Sequence, residues 1–136
     1  KFAEPQIQEL NFSFSGLKTS VLYFLQKQTP EFVLENRNDL CASIQYTIVQ
    51  ILLKKLVKAV NQTNVKHVCI AGGVSANSGL RNGLVALGQK KGWQVYIPDF
   101  SYCTDNAALI AITGYHKYLN SQFVPLSVNP SARAEW

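Results

Sequence analysis

Apolar residues recur every four positions through the middle of the chain and predict its longest helix. The series starts at Leu40 and continues through four isoleucine or leucine positions to Val60. Residues four apart lie on one face of an α-helix, so these side chains form a single apolar stripe. Asp39 precedes the stripe and is a suitable N-cap, because its carboxylate can accept an unpaired backbone N–H of the first turn. We therefore predict a long amphipathic helix that begins near Asp39.

Short runs of β-branched and aromatic residues predict three strands. Lys66–Ala71 (KHVCIA) lies between two helical patterns and ends at a glycine pair, as buried parallel strands do. Trp93–Ile97 (WQVYI) alternates polar and apolar residues until Pro98 breaks the pattern. An earlier segment, Asn11–Ser15, alternates polar and aromatic residues, which predicts a strand that turns into a helix at Gly16.

Apolar spacing predicts three further helices around these strands. The first follows Gly16 and ends before Pro30, because proline cannot continue the helical hydrogen-bond ladder. The second follows the glycine pair and is closed by Gly88 and Gly92, and the third begins near Thr104.

The alternation of strands and helices predicts an α/β domain whose sheet is at least partly parallel. Short strand–helix–strand connections are right-handed crossovers that place helices over the sheet. We assign residues 1–122 to this domain and residues 123–136, which carry two prolines and no periodicity, to a C-terminal extension. Ligands bind at the carboxyl ends of the strands in such sheets, so the candidate sites are the loops at residues 72–77 and 99–106.

Composition and charge narrow the class of protein without identifying a partner. The 136 residues are 47% hydrophobic, which is enough for one domain with a core. No apolar run reaches the roughly 20 residues that span a bilayer, and we expect no membrane association. The net charge of +5 is compatible with a polyanionic partner, although dispersed lysines are more simply a solvated surface.

The three cysteines form no C-x-x-C pair and fit a reducing cytoplasm. Because Lys1 stands where an intact chain has methionine, we expect a piece of a longer protein.

The first candidate loop reads AGGVSAN. Gly72 and Gly73 would let a ligand approach the backbone closely, and the next helix N-terminus offers unpaired N–H groups suited to phosphate. The same residues also fit a tight turn in which Ser75 or Asn77 caps the helix. Neither a Walker A sequence nor a G-x-G-x-x-G fingerprint is present. The local pattern leaves both interpretations open.

The second candidate loop contains the sequence CTDN. Thr104 or Asp105 could cap the last helix, and on local grounds this is the simpler interpretation. Alternatively, Asp105 could supply an oxygen ligand to a metal ion shared with a nucleotide phosphate.

Other residues that suggest chemistry are less favourable candidates. Ser13 and Ser15 precede a helix and are more simply caps than nucleophiles, and no G-x-S-x-G elbow surrounds them. His67 and His116 have neither H-x-x-x-H nor H-E-x-x-H spacing, so we expect neither to bind a metal.

Three motifs lie along the chain in an order and spacing that are specific in combination: FSFSGLKT (Phe12–Thr19), AGGVSANSGLR (Ala71–Arg81) and CTDNAALIAITGY (Cys103–Tyr115). Together they resemble the C-terminal lobe of the TsaD family of tRNA N6-adenosine threonylcarbamoyltransferases. The resemblance covers essentially the whole chain and departs from the family only at the tail, where Arg133 and Trp136 are not adjacent. It implies a ribonuclease-H-like lobe of the actin, Hsp70 and sugar-kinase fold, with a mixed or partly parallel sheet covered by helices.

The resemblance also implies a reaction and a set of site residues. The family transfers the threonylcarbamoyl group from threonylcarbamoyl-AMP to N6 of the adenosine beside the anticodon, in tRNAs that read codons beginning with A. Carried over by motif, Asn77 contacts the nucleotide, Gly72 and Gly73 line the same region, and Asp105 binds a divalent metal. Iron is the expected metal, with zinc or magnesium as alternatives, and its remaining ligands would be two histidines of the N-terminal lobe. No residue is assigned as catalytic, and this chain alone is expected to be inactive.

Partners and rival functions follow from the same resemblance. The full-length protein would work with a paralogous actin-fold subunit and a small ATPase, and the isolated lobe would expose apolar surface that favours self-association. One alternative is a non-catalytic actin-fold interaction subunit. The other is an actin-like carbohydrate kinase or carbamoyltransferase.

Overall fold

A computed structural model describes Phe2, Glu4 and residues 7–131 of the chain. This part contains five α-helices, two short strands and two single turns of 3₁₀-helix. In chain order they are α1 (Phe14–Leu25), α2 (Pro30–Glu35), α3 (Arg37–Thr63), β1 (His67–Cys69), the 3₁₀ turn Gly73–Ala76, α4 (Ser78–Lys91), β2 (Gln94–Tyr96), the 3₁₀ turn Phe100–Tyr102, and α5 (Ala107–Leu119). The chain is therefore mixed α/β, as predicted.

The two strands form a small parallel sheet with α4 packed on one face. Val68 lies beside Val95 in the strand register, and both side chains are turned away from the exposed face of the sheet. Gly88 lies inside α4, where an added Cβ would stand 2.5 Å from Val95 Cγ2, so glycine lets the helix approach the sheet. The prediction that Gly88 closes the helix is wrong, whereas Gly92 is confirmed as the end because it adopts the left-handed conformation (φ 68°).

The predicted strand at Asn11–Ser15 is wrong for the described chain. Ser13 is instead the N-cap of α1, and its hydroxyl accepts the backbone N–H of Gly16. The rings of Phe12 and Phe14 stack on each other with centroids 5.9 Å apart. A strand needs a partner to satisfy its backbone, and the described sheet consists of β1 and β2 alone, so the local capping interaction prevails.

The long helix predicted from the four-residue spacing is confirmed as α3. It begins two residues before Asp39, which lies in the first turn rather than at the cap, where Asn36 stands. The side chains of the predicted stripe are half-buried along its length. The most buried residues of α3 are Thr47, Val49 and Ile51, which lie next to the stripe in the sequence. By length and composition, α3 is also the one helix in the described ranges that could cross a membrane. Its packing against α4 is equally typical of a core helix.

Three lysines of α3 hold the start of the chain. Lys55 and Lys58 donate hydrogen bonds to the backbone carbonyl of Glu9 at 2.7 and 3.1 Å, and Lys54 pairs with Glu4. Only Lys54 has a carboxylate as its partner, whereas Lys55 and Lys58 donate to uncharged carbonyls and keep their positive charge.

The last helix differs from the rest because every one of its residues is exposed in the described chain. Its most exposed large apolar residue, Ile110, keeps 77% of its surface accessible. Residues 120–131 are irregular and exposed, and they include a turn in which Val128 donates to Pro125. The tail positions Arg133 and Trp136, at which the sequence departs from the family pattern, lie outside the described residues.

Candidate functional site

Both candidate loops lie at the carboxyl edge of the sheet, as predicted. The glycine loop, residues 72–77, follows β1, and the CTDN loop, residues 99–106, follows β2. The strands run parallel, so the two loops leave the sheet at the same edge. The last backbone hydrogen bond that joins the two strands runs from the N–H of Ile70 to the carbonyl of Tyr96 (3.2 Å).

The two glycines of the first loop differ in whether their backbone conformation requires glycine. Gly72 has φ 77° and ψ 177°, a conformation that is essentially restricted to glycine. Gly73 has no positive φ, and an added Cβ at either position would meet no atom within 4 Å. Ser75 is buried, and its hydroxyl donates to the carbonyl of Gly72 at 2.6 Å. The loop is thus fixed from within, while the backbone beside the glycines borders open space.

Asn77 is the N-cap of α4, which confirms one of the two interpretations of this loop. Its Oδ1 accepts the backbone N–H of Leu80 at 3.0 Å, and Ser75 is not the cap. The other half of the side-chain amide, Nδ2, makes no hydrogen bond with the described residues. A shallow pocket of about 260 Å³ borders Asn77 and is otherwise lined by Gln45 and other residues of α3. The predicted nucleotide contact of Asn77 stays a prediction, now confined to Nδ2.

Asp105 does not cap the last helix. Asn106 is the cap, because it is extended (φ −152°, ψ 155°) and its Oδ1 accepts the N–H of Leu109 at 3.1 Å. Asn106 directly precedes the first helical residue, Ala107, so the predicted caps at Thr104 and Asp105 are wrong. Asp105 is exposed and makes no hydrogen bond or ion pair with the described residues. Its carboxylate is therefore available to a ligand.

Arg81, the last residue of the AGGVSANSGLR motif, joins the two loops. Its Nε donates to the carbonyl of Ser75 (2.6 Å), and its Nη2 donates to the carbonyl of Pro98 (2.7 Å). Nη2 also lies 3.1 Å from Cys103 Sγ, and the guanidinium lies 3.9 Å from the centroid of the Phe100 ring. One signal was available in the sequence: a long side chain one turn after a helix start points back toward that start.

An apolar cavity of about 380 Å³ lies behind the glycine loop. It is lined by the N-terminal segment, α3, the residues that follow β1, and α4, with walls that include Phe12, Leu56, Ile70 and Leu84. Almost all of its lining is apolar, so it offers few groups that could orient a polar substrate. The chemistry of this chain is therefore concentrated at the loops.

Comparison with known proteins places these loops in a family. Residues 1–112, which include both loops, match the family model for TsaD, tRNA N6-adenosine threonylcarbamoyltransferase. The protein of that name from Christiangramia forsetii is 57% identical over 98% of this chain, and that from Porphyromonas gingivalis is 48% identical over 98%. The one from Salinibacter ruber is 42% identical over 96%.

The chain belongs to the TsaD family. It spans about 40% of the length of the curated relatives that it matches. The resemblance predicted from the three motifs is thereby confirmed, and all of the candidate site residues lie within the matched range.

The metal site that the TsaD resemblance implies is incomplete in this part of the chain. No group of three or more histidine, cysteine, aspartate or glutamate residues gathers among the described residues. His67 stacks against Tyr96, with Nδ1 3.2 Å from the phenol oxygen, and His116 on α5 lies against the ring of Tyr115. Asp105 fits a metal as one exposed oxygen ligand, but a divalent ion needs several more.

Proposed function

We propose that this chain forms part of an enzyme that transfers the threonylcarbamoyl group from threonylcarbamoyl-AMP to N6 of the adenosine next to the anticodon. The tRNAs would be those that read codons beginning with A. The observation that carries the proposal is that the TsaD match includes both loops, which leave the sheet at one edge and are joined there by Arg81.

The glycine loop is proposed to bind the nucleotide. The N-terminus of α4 presents a partial positive charge and unpaired N–H groups, which suit an adenylate phosphate. Asn77 Nδ2 can donate a hydrogen bond to a nucleotide oxygen while Oδ1 continues to cap the helix. Open space beside Gly72 and Gly73 would let the nucleotide approach the backbone.

The proposed reaction needs orientation more than a protein nucleophile. The amine N6 attacks the carbamoyl carbon, the bond from that carbon to the phosphate oxygen breaks, AMP leaves, and the amine loses a proton. Because the adenylate is an activated leaving group, holding the reactants in line and stabilising the developing negative charge can supply the rate. We therefore assign no residue of this chain as a nucleophile.

Asp105 is proposed to be one ligand of a divalent metal, with iron expected and zinc or magnesium as alternatives. Its exposure and its lack of a partner among the described residues support this role. The other ligands would come from outside this chain.

The remaining proposals rest on membership of the TsaD family. The chain would form the ribonuclease-H-like C-terminal lobe of an actin-type fold in a cytoplasmic protein that works with a paralogous actin-fold subunit and a small ATPase. The exposed apolar side of α5 supports self-association of the lobe when it is produced alone. A monomeric elution volume on a sizing column would count against self-association.

The test is threonylcarbamoyl transfer to tRNA by the full-length protein with its partners, comparing the wild type with Asp105→Ala. We expect the substitution to lower the rate by about a hundredfold or more, as loss of a metal ligand would. Asp99→Ala is the matched control, because Asp99 is exposed in the same loop and only its backbone carbonyl is used. That variant should keep the wild-type rate. An inactive wild type would instead favour the non-catalytic interaction subunit, and a fully active Asp105→Ala would remove Asp105 from the site.

A further inference from the structure

Arg81 is the side chain that connects the glycine loop to the CTDN loop. Beyond the hydrogen bond between Ile70 and Tyr96, no backbone hydrogen bond joins the two loops in the described chain. The hydrogen bonds that link them are those of Arg81, to Ser75 in the first loop, to Pro98 directly before the second loop and to Cys103 within it. Among the described residues, the hydrogen bonds between the two loop regions therefore all come from one guanidinium group.

The contacts use properties that only arginine has. Its planar fork presents donors in fixed directions, so Nε and Nη2 can each serve a different carbonyl, whereas a lysine ammonium is a single point. The ring of Phe100 lies under the same guanidinium at 3.9 Å and adds a cation–π contact that keeps the group in place.

We call the contacts of Arg81 with Ser75, Pro98 and Cys103 the clamp. In each loop, the residue that the clamp contacts lies two positions before a candidate ligand residue. On the first loop, it holds the carbonyl of Ser75, two residues before Asn77. On the second loop, it contacts Cys103, two residues before Asp105. Cys103 is only 2% exposed, and its thiol donates to the carbonyl of Asp99 at 3.4 Å, so this end of the loop is fixed as well.

We propose that Arg81 is a positioning residue that sets the placement of Asp105 relative to Asn77. This inference rests on the proposed function, in which the two residues act on one substrate. A misplacement of about 1 Å between reacting groups can lower the rate by about a hundredfold, while each loop by itself can still bind its own part of the substrate. Loss of the clamp should therefore lower kcat more than it raises KM.

The experiment uses the full-length protein with its partners and compares the wild type with Arg81→Lys. We expect kcat for threonylcarbamoyl transfer to fall by about tenfold to a hundredfold, with KM for threonylcarbamoyl-AMP changed by less than about threefold. Lys90→Ala, which removes an exposed positive charge from the same helix, is the matched control and should leave both constants unchanged. Phe100→Leu keeps both backbone acceptors and should have an effect of less than about threefold, because it removes only the cation–π contact.

Titration with AMP separates positioning from simple loss of structure. The binding stoichiometry reports the fraction of folded molecules, and the rate is expressed per folded molecule. A rate per folded molecule that falls in Arg81→Lys supports the inference. A rate within twofold of wild type, or one that recovers fully after this correction, overturns it. A wild type without transfer activity overturns the proposed function and the inference together, whereas an active wild type with an unaffected Arg81→Lys removes only the inference.

Discussion

The loops at Asn77 and Asp105 occupy equivalent places but use their polar side chains differently. Each leads from the carboxyl end of a strand into a helix that an asparagine caps. In the glycine loop, the candidate ligand residue is itself the cap, so half of its amide is occupied. In the CTDN loop, the neighbouring Asn106 is the cap and Asp105 is left without a partner among the described residues. The observed capping role and the proposed ligand-binding role therefore fall on one residue in the first loop and on two residues in the second.

Among the variants that compare the two loops by ligand affinity and stability, the largest effect should come from separating the two roles of Asn77. In the full-length protein, Asn77→Ser keeps a good cap but removes Nδ2, whereas Asn77→Ala removes both functions. Loss of a hydrogen bond to a charged phosphate is worth about 1.5–3 kcal/mol, so both variants should bind AMP about tenfold or more weakly in calorimetric titration. Asn77→Ala alone should also lose about 1 kcal/mol of stability in urea denaturation. If Asn77→Ser bound AMP normally, Asn77 would be a cap and nothing more.

The next effect distinguishes the two glycines of the first loop. Gly72→Ala should destabilise the full-length protein by about 2 kcal/mol, because a side chain is strained at φ 77° and ψ 177°. Gly73→Ala should leave the urea midpoint unchanged, because its Cβ would meet no atom. If the nucleotide approaches Gly73, that variant should nevertheless bind AMP more weakly. Equal stability losses in the two variants would contradict this distinction.

The smallest effect tests the division of roles in the second loop. Asn106→Ala should destabilise the protein by about 1 kcal/mol through loss of the cap, as measured by urea denaturation. Asp105→Ala should change stability by less than about 0.5 kcal/mol, as is usual for an exposed residue without structural contacts. A larger stability loss in Asp105→Ala than in Asn106→Ala would mean that Asp105 has a structural role.

Local patterns predicted the type of element correctly for segments that pack within the described chain, although the cap of α3 and one end of α4 were misplaced. The stripe from Leu40 to Val60 became α3, and the two runs that end near Ala71 and Ile97 became a parallel pair. The segment Asn11–Ser15 was predicted wrongly, because the described sheet offers it no partner strand and Ser13 can cap a helix instead. A strand depends on its neighbour, whereas a cap depends on residues three positions away.

The sequence by itself determined the order of helices and strands from α3 to α5, the two loops and the family, because periodicity, glycine placement and motif spacing are local properties of the chain. Only the tertiary structure decided which side chain connects the loops. The contacts of Arg81 reach 17 residues to Pro98 and 22 residues to Cys103, and no local pattern specifies such contacts. They exist because the parallel pairing of β1 and β2 brings both loops to the same edge of the sheet, within reach of one guanidinium.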